Sequence, residues 1–168
     1  MLLATAGAPL HAADEMTVKM HQVSKHGVTT LIGEVVARET RHGVVFEPDL
    51  RGLEPGLHGF HVHENADCAP GMKDGEMKAA MAAGGHLDPH QAGKHGAPWG
   101  EGHLGDLPAL YVDGQGNASH PLLAPRLKLA DLEKRSLMVH AGGDNYADQP
   151  KPMGGGGERI ACGLFTSR

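Results

Sequence analysis

From Asn65 to Leu107 the chain passes through a stretch rich in Gly, Pro, His and Asp and far longer than an ordinary connection. Within it stand His86, His95 and His103-x-x-Asp106. His61-x-His63 comes just before it, and His140 lies far downstream. Metal ligation would give so long a loop a reason to be ordered. These histidines and the aspartate are enough donors for two transition-metal ions. Imidazole suits copper and zinc, and several imidazoles with one carboxylate favour tetrahedral zinc over the oxygen-only cages of calcium or magnesium.

The rest of the chain reads as short strands. Met16, Val18 and Met20 alternate with Thr17, Lys19 and His21, and the run from Val28 to Val36 is rich in β-branched residues. Turn signals at Lys25-His26-Gly27, Arg41-His42-Gly43 and Glu54-Pro55-Gly56 separate these runs from Val44–Phe46 and from a ligand-bearing strand, Leu57 to His63. Ala109–Val112 and Ala118–Leu123, joined through Asp113-Gly114 and Gln115-Gly116, predict a hairpin. Ser136–His140 and Arg159–Phe165 supply the last strands. A second long segment, Ala141 to Glu158, carries Gly154–Gly157. Short helical turns are expected around Ala130–Arg135 and within Lys73–Ala83. Such spacing predicts an antiparallel sandwich or barrel.

At 168 residues one domain is expected, from residue 14 to 168. Residues 1–13 are small and apolar and read as the remnant of a secretory signal that lacks its positive start, or as an apolar tail. No stretch is long enough to cross a bilayer. A formal net charge of -5 argues against a nucleic-acid partner and gives no basic patch for a membrane surface. Cys68 and Cys162 either form one bridge or remain free thiols, and no C-x-x-C spacing suggests a redox motif or zinc knuckle.

Taken singly, the ligand signals are uneven. His61 and His63, two apart on a strand, project from one face with Cα atoms roughly 6.5 Å apart, from which two imidazoles can converge on one ion. Alone, such a pair is common on exposed strands. His140 by itself reads as a strand-end histidine. The loop cluster is the stronger sign, since His86, His95, His103 and Asp106 have little core around them.

Six segments, in order, resemble the copper/zinc superoxide dismutases of the bacterial periplasmic type from Met16 onward: Gly56-Leu-His-Gly-Phe-His-Val-His63, Gly84-Gly-His-Leu-Asp-Pro89, Gly93-Lys-His-Gly96, Gly102-His-Leu-Gly-Asp-Leu-Pro-Ala109, Leu137-Met-Val-His-Ala-Gly-Gly-Asp144 and Gly154-Gly-Gly-Gly-Glu-Arg-Ile-Ala-Cys-Gly163. The resemblance implies an all-β, Greek-key antiparallel sandwich or barrel, immunoglobulin-like, with two long functional loops. It implies copper on His61, His63, His86 and His140, and zinc on His86, His95, His103 and Asp106, with His86 as a bridging imidazolate. Asp144 would link a copper-bound and a zinc-bound histidine. Arg159 would flank copper and attract the anion, and Cys68 would pair with Cys162. The implied activity is dismutation of superoxide to dioxygen and hydrogen peroxide in a periplasmic or otherwise secreted compartment. His86 would pass one proton, and a homodimer is one of the assembly states to expect.

Several residues fall outside these motifs. His90 reads as a solvent-facing loop residue, and His21, His26, His42 and His120 as solvated turn histidines. His58 receives no role. Met72, Met77 and Met81 read as packing rather than a soft copper(I) site. Lys73 and Lys78 are candidates for steering substrate. The rival from another class is a non-catalytic periplasmic copper- or zinc-binding or copper-delivery protein. A mononuclear zinc hydrolase would need an open site with a general base, and no glutamate of that kind stands beside the cluster.

Overall fold

The computed structural model describes residues 15–165, so the expected signal remnant over 1–13 lies outside the described residues. Eleven strands follow one another there: β1 (Glu15–Ser24), β2 (Gly27–Thr40), β3 (Gly43–Leu50), β4 (Gly56–His58), β5 (Phe60–His63), β6 (Gly71–Lys73), β7 (Glu76–Lys78), β8 (Leu110–Val112), β9 (Leu122–Ala124), β10 (Ser136–His140) and β11 (Arg159–Leu164). Seven form one curled antiparallel sheet in the order β5-β10-β11-β1-β2-β3-β9. No helix among the described residues is long and apolar enough to cross a membrane.

The expected turns at 25–27 and 41–43 close the β1-β2-β3 meander, with Ser24 opposite Gly27 and Thr40 opposite Gly43. After β3 the chain crosses to the far edge of the sheet, and β9 returns later to pair with β3. That crossing gives the Greek-key connection expected for the fold. Alternate residues of the strands, among them Val18, Met20, Val35, Phe46, Phe60, Val62, Leu137, Val139 and Ala161, meet in one buried core. Within it Phe46 meets Phe60 edge-on, ring centres 5.9 Å apart.

Strands β5 and β10 differ from the others in being buried on both faces. Phe60, Val62, Leu137 and Val139 point to the core, while His61, His63, Met138 and His140 occupy the opposite parity. The long loop covers that second face and pairs with the free edge of β5. His61 stands opposite Asp106 and His63 opposite His86. Backbone bonds from Val62 N to Gly105 O (2.9 Å) and from Leu87 N to Val62 O (2.8 Å) fix that register.

Four local expectations are corrected. The ligand-bearing strand is not continuous from Leu57 to His63: it breaks at Gly59, so β4 pairs with β8 while β5 pairs with β10. Ala109–Val112 and Ala118–Leu123 do not form a hairpin. Asp113 Oδ1 closes the turn by accepting from the Gln115 and Asn117 amides, but Ala118 then bridges Leu50 and draws β9 onto β3, leaving β8 to β4. Within Lys73–Ala83 most of the segment is a hairpin of β6 and β7, not helix. Asp74 and Gly75, at φ 53° and 80°, form the left-handed pair that an Asp-Gly two-residue hairpin uses. Only Met81–Ala83 is helical there, as a single 3-10 turn, and Leu129–Leu132 is a second one in place of the longer turn expected over 130–135.

Candidate metal centre

On the covered face of β5 and β10 the register sets His61 against Met138, and the free edge of β5 brings the loop histidines alongside. Donor atoms of His61, His63, His86 and His140 all lie within 4.8 Å of one another, and so do those of His61, His86, His95 and Asp106. His103 stands just outside the second quartet, yet its Nδ1 is 3.3 Å from Asp106 Oδ1. That one oxygen also has His86 Nδ1 at 2.9 Å and His95 Nδ1 at 3.0 Å. Three imidazole nitrogens therefore converge on one carboxylate oxygen, the donor set of a tetrahedral zinc site. Asp106 Oδ2 is held from outside by the Gly96 amide at 2.9 Å.

His86 is the hub. Its ring centre lies 4.0 Å from that of His61, 5.0 Å from His63, 5.9 Å from His140, 5.3 Å from His95 and 5.4 Å from His103. No other ring of the cluster meets all five partners. The histidines of the first quartet apart from His86 each have one ring nitrogen occupied by an outer acceptor. His61 Nε2 donates to Asp144 Oδ2 at 2.7 Å, His63 Nδ1 to Gly84 O at 3.1 Å, and His140 Nδ1 to Gly157 O at 3.4 Å. His86 lacks such an anchor: its Nδ1 goes to Asp106, and its Nε2 has no hydrogen-bond partner among the described residues.

Asp144 joins the two sides. Its Oδ1 accepts from His95 Nε2 at 2.8 Å and from the Tyr146 amide at 2.7 Å, while Oδ2 takes His61. Its side chain is fully buried. Gly154, at φ 72°, closes over it; a Cβ there would stand 2.2 Å from Asp144 Oδ1, so only glycine permits the approach. Burial would raise the Asp144 carboxyl, but the bonds from His61 and His95 prevail and hold it below the usual range. Burial likewise opposes ionisation of Asp106, and the hydrogen bonds of His103, His86 and His95 more than offset it. Burial pushes His61, His63 and His140 down, and His86 to about 3, with neighbouring imidazoles adding to the effect on His63, His86 and His140. His95 goes the other way, to about 9: burial lowers it, but Asp106 and Asp144 win.

The residues fit metal ions. His61 Nδ1 is buried without a hydrogen-bond partner among the described residues, and His95 Nδ1 has only Asp106 Oδ1 beside it, at 3.0 Å. His63 Nε2 and His140 Nε2 face each other at 3.4 Å, with their outer nitrogens already engaged. A buried polar atom without a partner is costly. Inward lone pairs backed by outer hydrogen bonds are the arrangement that ligating histidines adopt.

Arg159 sits at the rim. Its Nη1 donates to Ala80 O and its Nη2 to Gly84 O, both at 2.6 Å, and Gly84 O also accepts from His63. Cys68 and Cys162 are disulfide-bonded, which ties the long loop to β11 three residues from Arg159. The disulfide packs with Val23, Ala80, Ala83 and Met138 in a small cluster of its own.

Outside the centre, His26, His42, His90 and His120 are exposed, and His21 is partly so. Met72 and Met77 face each other across β6 and β7 and are exposed. Of the two steering candidates, Lys78 is engaged with Glu76 at 2.6 Å, whereas Lys73 is exposed. Two residues had gone without a role. His58 is buried, with Nδ1 2.7 Å from His140 O and Nε2 2.8 Å from Glu54 O, and so braces the end of β10. Asp148 accepts from the amides of His95 (3.0 Å) and Met153 (3.1 Å), pinning one long loop to the other. His58 carried one usable signal, its place in the same short run as His61 and His63. Asp148 carried none.

A family model described as copper/zinc superoxide dismutase (SODC) matches residues 31–165. The chain is 56% identical over 165 residues to superoxide dismutase (Cu-Zn) 2 of Salmonella typhimurium, covering 98% of this chain and 94% of the relative. Its structure resembles the Cu/Zn superoxide dismutase from Brucella abortus with a TM-score of 0.89 at 50% identity, covering 90% of this chain and 99% of that one. It also resembles the monomeric copper, zinc superoxide dismutase from Salmonella enterica, with a TM-score of 0.81 at 53% identity and the same coverage.

Proposed function

The chain belongs to the copper/zinc superoxide dismutase family, and from that premise we propose that it removes superoxide at a two-metal centre whose halves share the His86 ring. Two superoxide anions and two protons leave as one dioxygen and one hydrogen peroxide. Copper, when bound, supplies the alternating one-electron chemistry, whereas zinc has no redox chemistry and serves to order the loop. The observation that carries the reading is the position of His86, in contact with all five other rings and without an outer anchor.

In this reading His61, His63, His86 and His140 would hold copper, and His86, His95, His103 and Asp106 would hold zinc. His103 is preferred to His61 on the zinc side because His61 has a single inward nitrogen, its other being committed to Asp144. Asp144 fixes the tautomers of His61 and His95, so that each presents a lone pair to its ion.

Arg159 attracts the anion. Its guanidinium is held on one side by two carbonyls, so its position is set before substrate arrives and little reorganisation accompanies encounter. Such steering raises association rates and weakens with salt. His86 Nε2 can take up a proton and yield it to the departing peroxide, while Nδ1 stays on the Asp106 side. The second proton comes from water.

A periplasmic or secreted location is supported by the Cys68–Cys162 bond, which persists in an oxidising compartment. All the proposed ligands come from one chain, so a homodimer and a monomer would carry the same chemistry; light scattering distinguishes them. The test of function is metal analysis paired with a superoxide decay assay on the metal-loaded protein. Catalytic decay with both metals bound is expected. Bound metals with no decay beyond the spontaneous rate would favour a metal-binding or copper-delivery protein instead.

A further inference from the structure

Outside the ligand set, Arg126 spends every arm of its guanidinium on the loop that carries His103. Its Nε donates to Pro98 O at 2.9 Å, Nη1 to Gly102 O at 3.0 Å, and Nη2 to the carbonyl of His103 itself. The side chain is partly buried, while Pro98, Gly102 and His103 are buried. Apart from Leu104, which follows His103 into the main core, and the buried Pro98, the loop has few apolar contacts to hold this shape. Its two limbs touch glycine to glycine: a Cβ on Gly102 would stand 2.5 Å from Gly96 N and 2.8 Å from Asp106 Oδ2. Two backbone bonds close it, His103 N to Lys94 O at 3.1 Å and Gly100 N to Ala97 O at 2.8 Å. The tip, Trp99, is 70% exposed and adds little burial.

The base of Arg126 is fixed independently. It leaves the chain between Ala124, on β9, and Leu127, both buried in the main core. The guanidinium is therefore a rigid fork projecting from the sheet, and its planar donors suit three carbonyls that converge from one side. An ammonium would offer donors without that planar geometry.

We propose that Arg126 is a positioning residue for the zinc-side donors, setting His103 against Asp106 through the carbonyls of Pro98, Gly102 and His103. The inference rests on the assignment of His86, His95, His103 and Asp106 to zinc. His103 is the donor that most needs such help. Its Nδ1 is the farthest of the three from Asp106 Oδ1 and it stands outside the tighter quartet. Loss of an outer hydrogen-bonding partner typically weakens metal binding by about 10–100-fold.

The experiment uses the full chain stripped of metal, with Arg126→Met and Arg126→Lys beside the unsubstituted protein. Zinc affinity is measured by competition with a chromophoric chelator, and cobalt(II) replaces zinc to read ligand geometry from its visible bands. Arg126→Met should bind zinc about tenfold or more weakly and shift the cobalt bands, with Arg126→Lys in between. Thermal unfolding of the metal-free proteins supplies the control. A merely structural role would lower the unfolding temperature and leave the cobalt bands unchanged, which would overturn the proposal. So would zinc affinity equal to or tighter than that of the unsubstituted chain, the latter meaning that charge repulsion between Arg126 and the ion dominates. Should Arg126→Met fail to fold, Arg126→Lys decides on the same two readouts. If the unsubstituted chain itself binds neither zinc nor cobalt, the zinc assignment fails rather than the role of Arg126.

Discussion

Replacing Asp144 by Asn changes one atom and removes one charge, yet the geometry predicts that at least one metal is lost. The carboxylate accepts two imidazole N–H groups, from His61 Nε2 at 2.7 Å and His95 Nε2 at 2.8 Å. A carboxamide has one oxygen and one NH2, so it can accept only one of them. The other histidine must turn a lone pair outward to meet the NH2 and so carry its hydrogen on Nδ1, which blocks the nitrogen that faces the ion. Hydrogen bonds to a charged group contribute about 1.5–3 kcal/mol, and loss of such an outer partner lowers metal affinity about 10–100-fold, or about 1.4–2.7 kcal/mol. Dialysis of the loaded Asp144→Asn protein against a chelator, followed by metal analysis, should show a deficit in copper, zinc or both. Chelator competition then gives its size. Full occupancy of both metals with unchanged affinity would refute the tautomer argument.

Arg159→Ala should keep both metals and slow the reaction about tenfold or more at low salt, with a flatter salt dependence; pulse radiolysis across ionic strengths reads both, and an unaltered rate and slope would contradict the steering role. Exchanging Cys68 and Cys162 for Ser opens a closed loop with a sequence separation of 94 and should cost about 4–5 kcal/mol on the chain-entropy account. Denaturant unfolding measures it, and a loss below about 1 kcal/mol would argue that the loop is held by other means. In the metal-free protein burial keeps His61, His63, His86 and His140 below their ordinary values, His86 at about 3. As pH drops below about 6.5 the unfolded chain binds protons that the folded one refuses, so stability should fall, by up to about 1.4 kcal/mol per pH unit for each such histidine. His95 has the opposite sign: raised to about 9 by Asp106 and Asp144 against the effect of burial, it contributes fully below 6.5 and loses that contribution as pH rises through 9. Thermal unfolding of chelator-treated protein from pH 4 to 9 should peak between these flanks, and a monotonic or flat profile would count against the burial argument.

The sheet was legible in the sequence where strand-like runs met two-residue turns, as in β1, β2 and β3; one buried face and a fixed loop length keep β2 and β3 in a single register, whereas β1 and β2 shift register around His21. β10 coincides with the expected Ser136–His140. Legibility failed where pairing is decided at a distance. Nothing near Asp113 shows that Ala118 will bridge Leu50 and send β9 to β3. The β6–β7 hairpin was missed although Asp74-Gly75 signals it, because the flanking residues are exposed and lack strand-like alternation. The ligand residues were legible as residue types and, through the resemblance, as two sets. Their shared face was not: it depends on β5 and β10 lying side by side with the long loop paired to the outer edge of β5. The outer supports, His58, Asp148 and Arg126, act largely on backbone carbonyls and amides, and such contacts leave little trace in a sequence.

The central claim is that one imidazole serves both ions. A crystal structure of the copper- and zinc-loaded protein, with anomalous maps at both metal edges, tests it in a single measurement. The prediction is copper at His86 Nε2 with His61, His63 and His140, and zinc at His86 Nδ1 with His95, His103 and Asp106. A His86 ring turned away from either ion, or two metals held without it, would contradict the account.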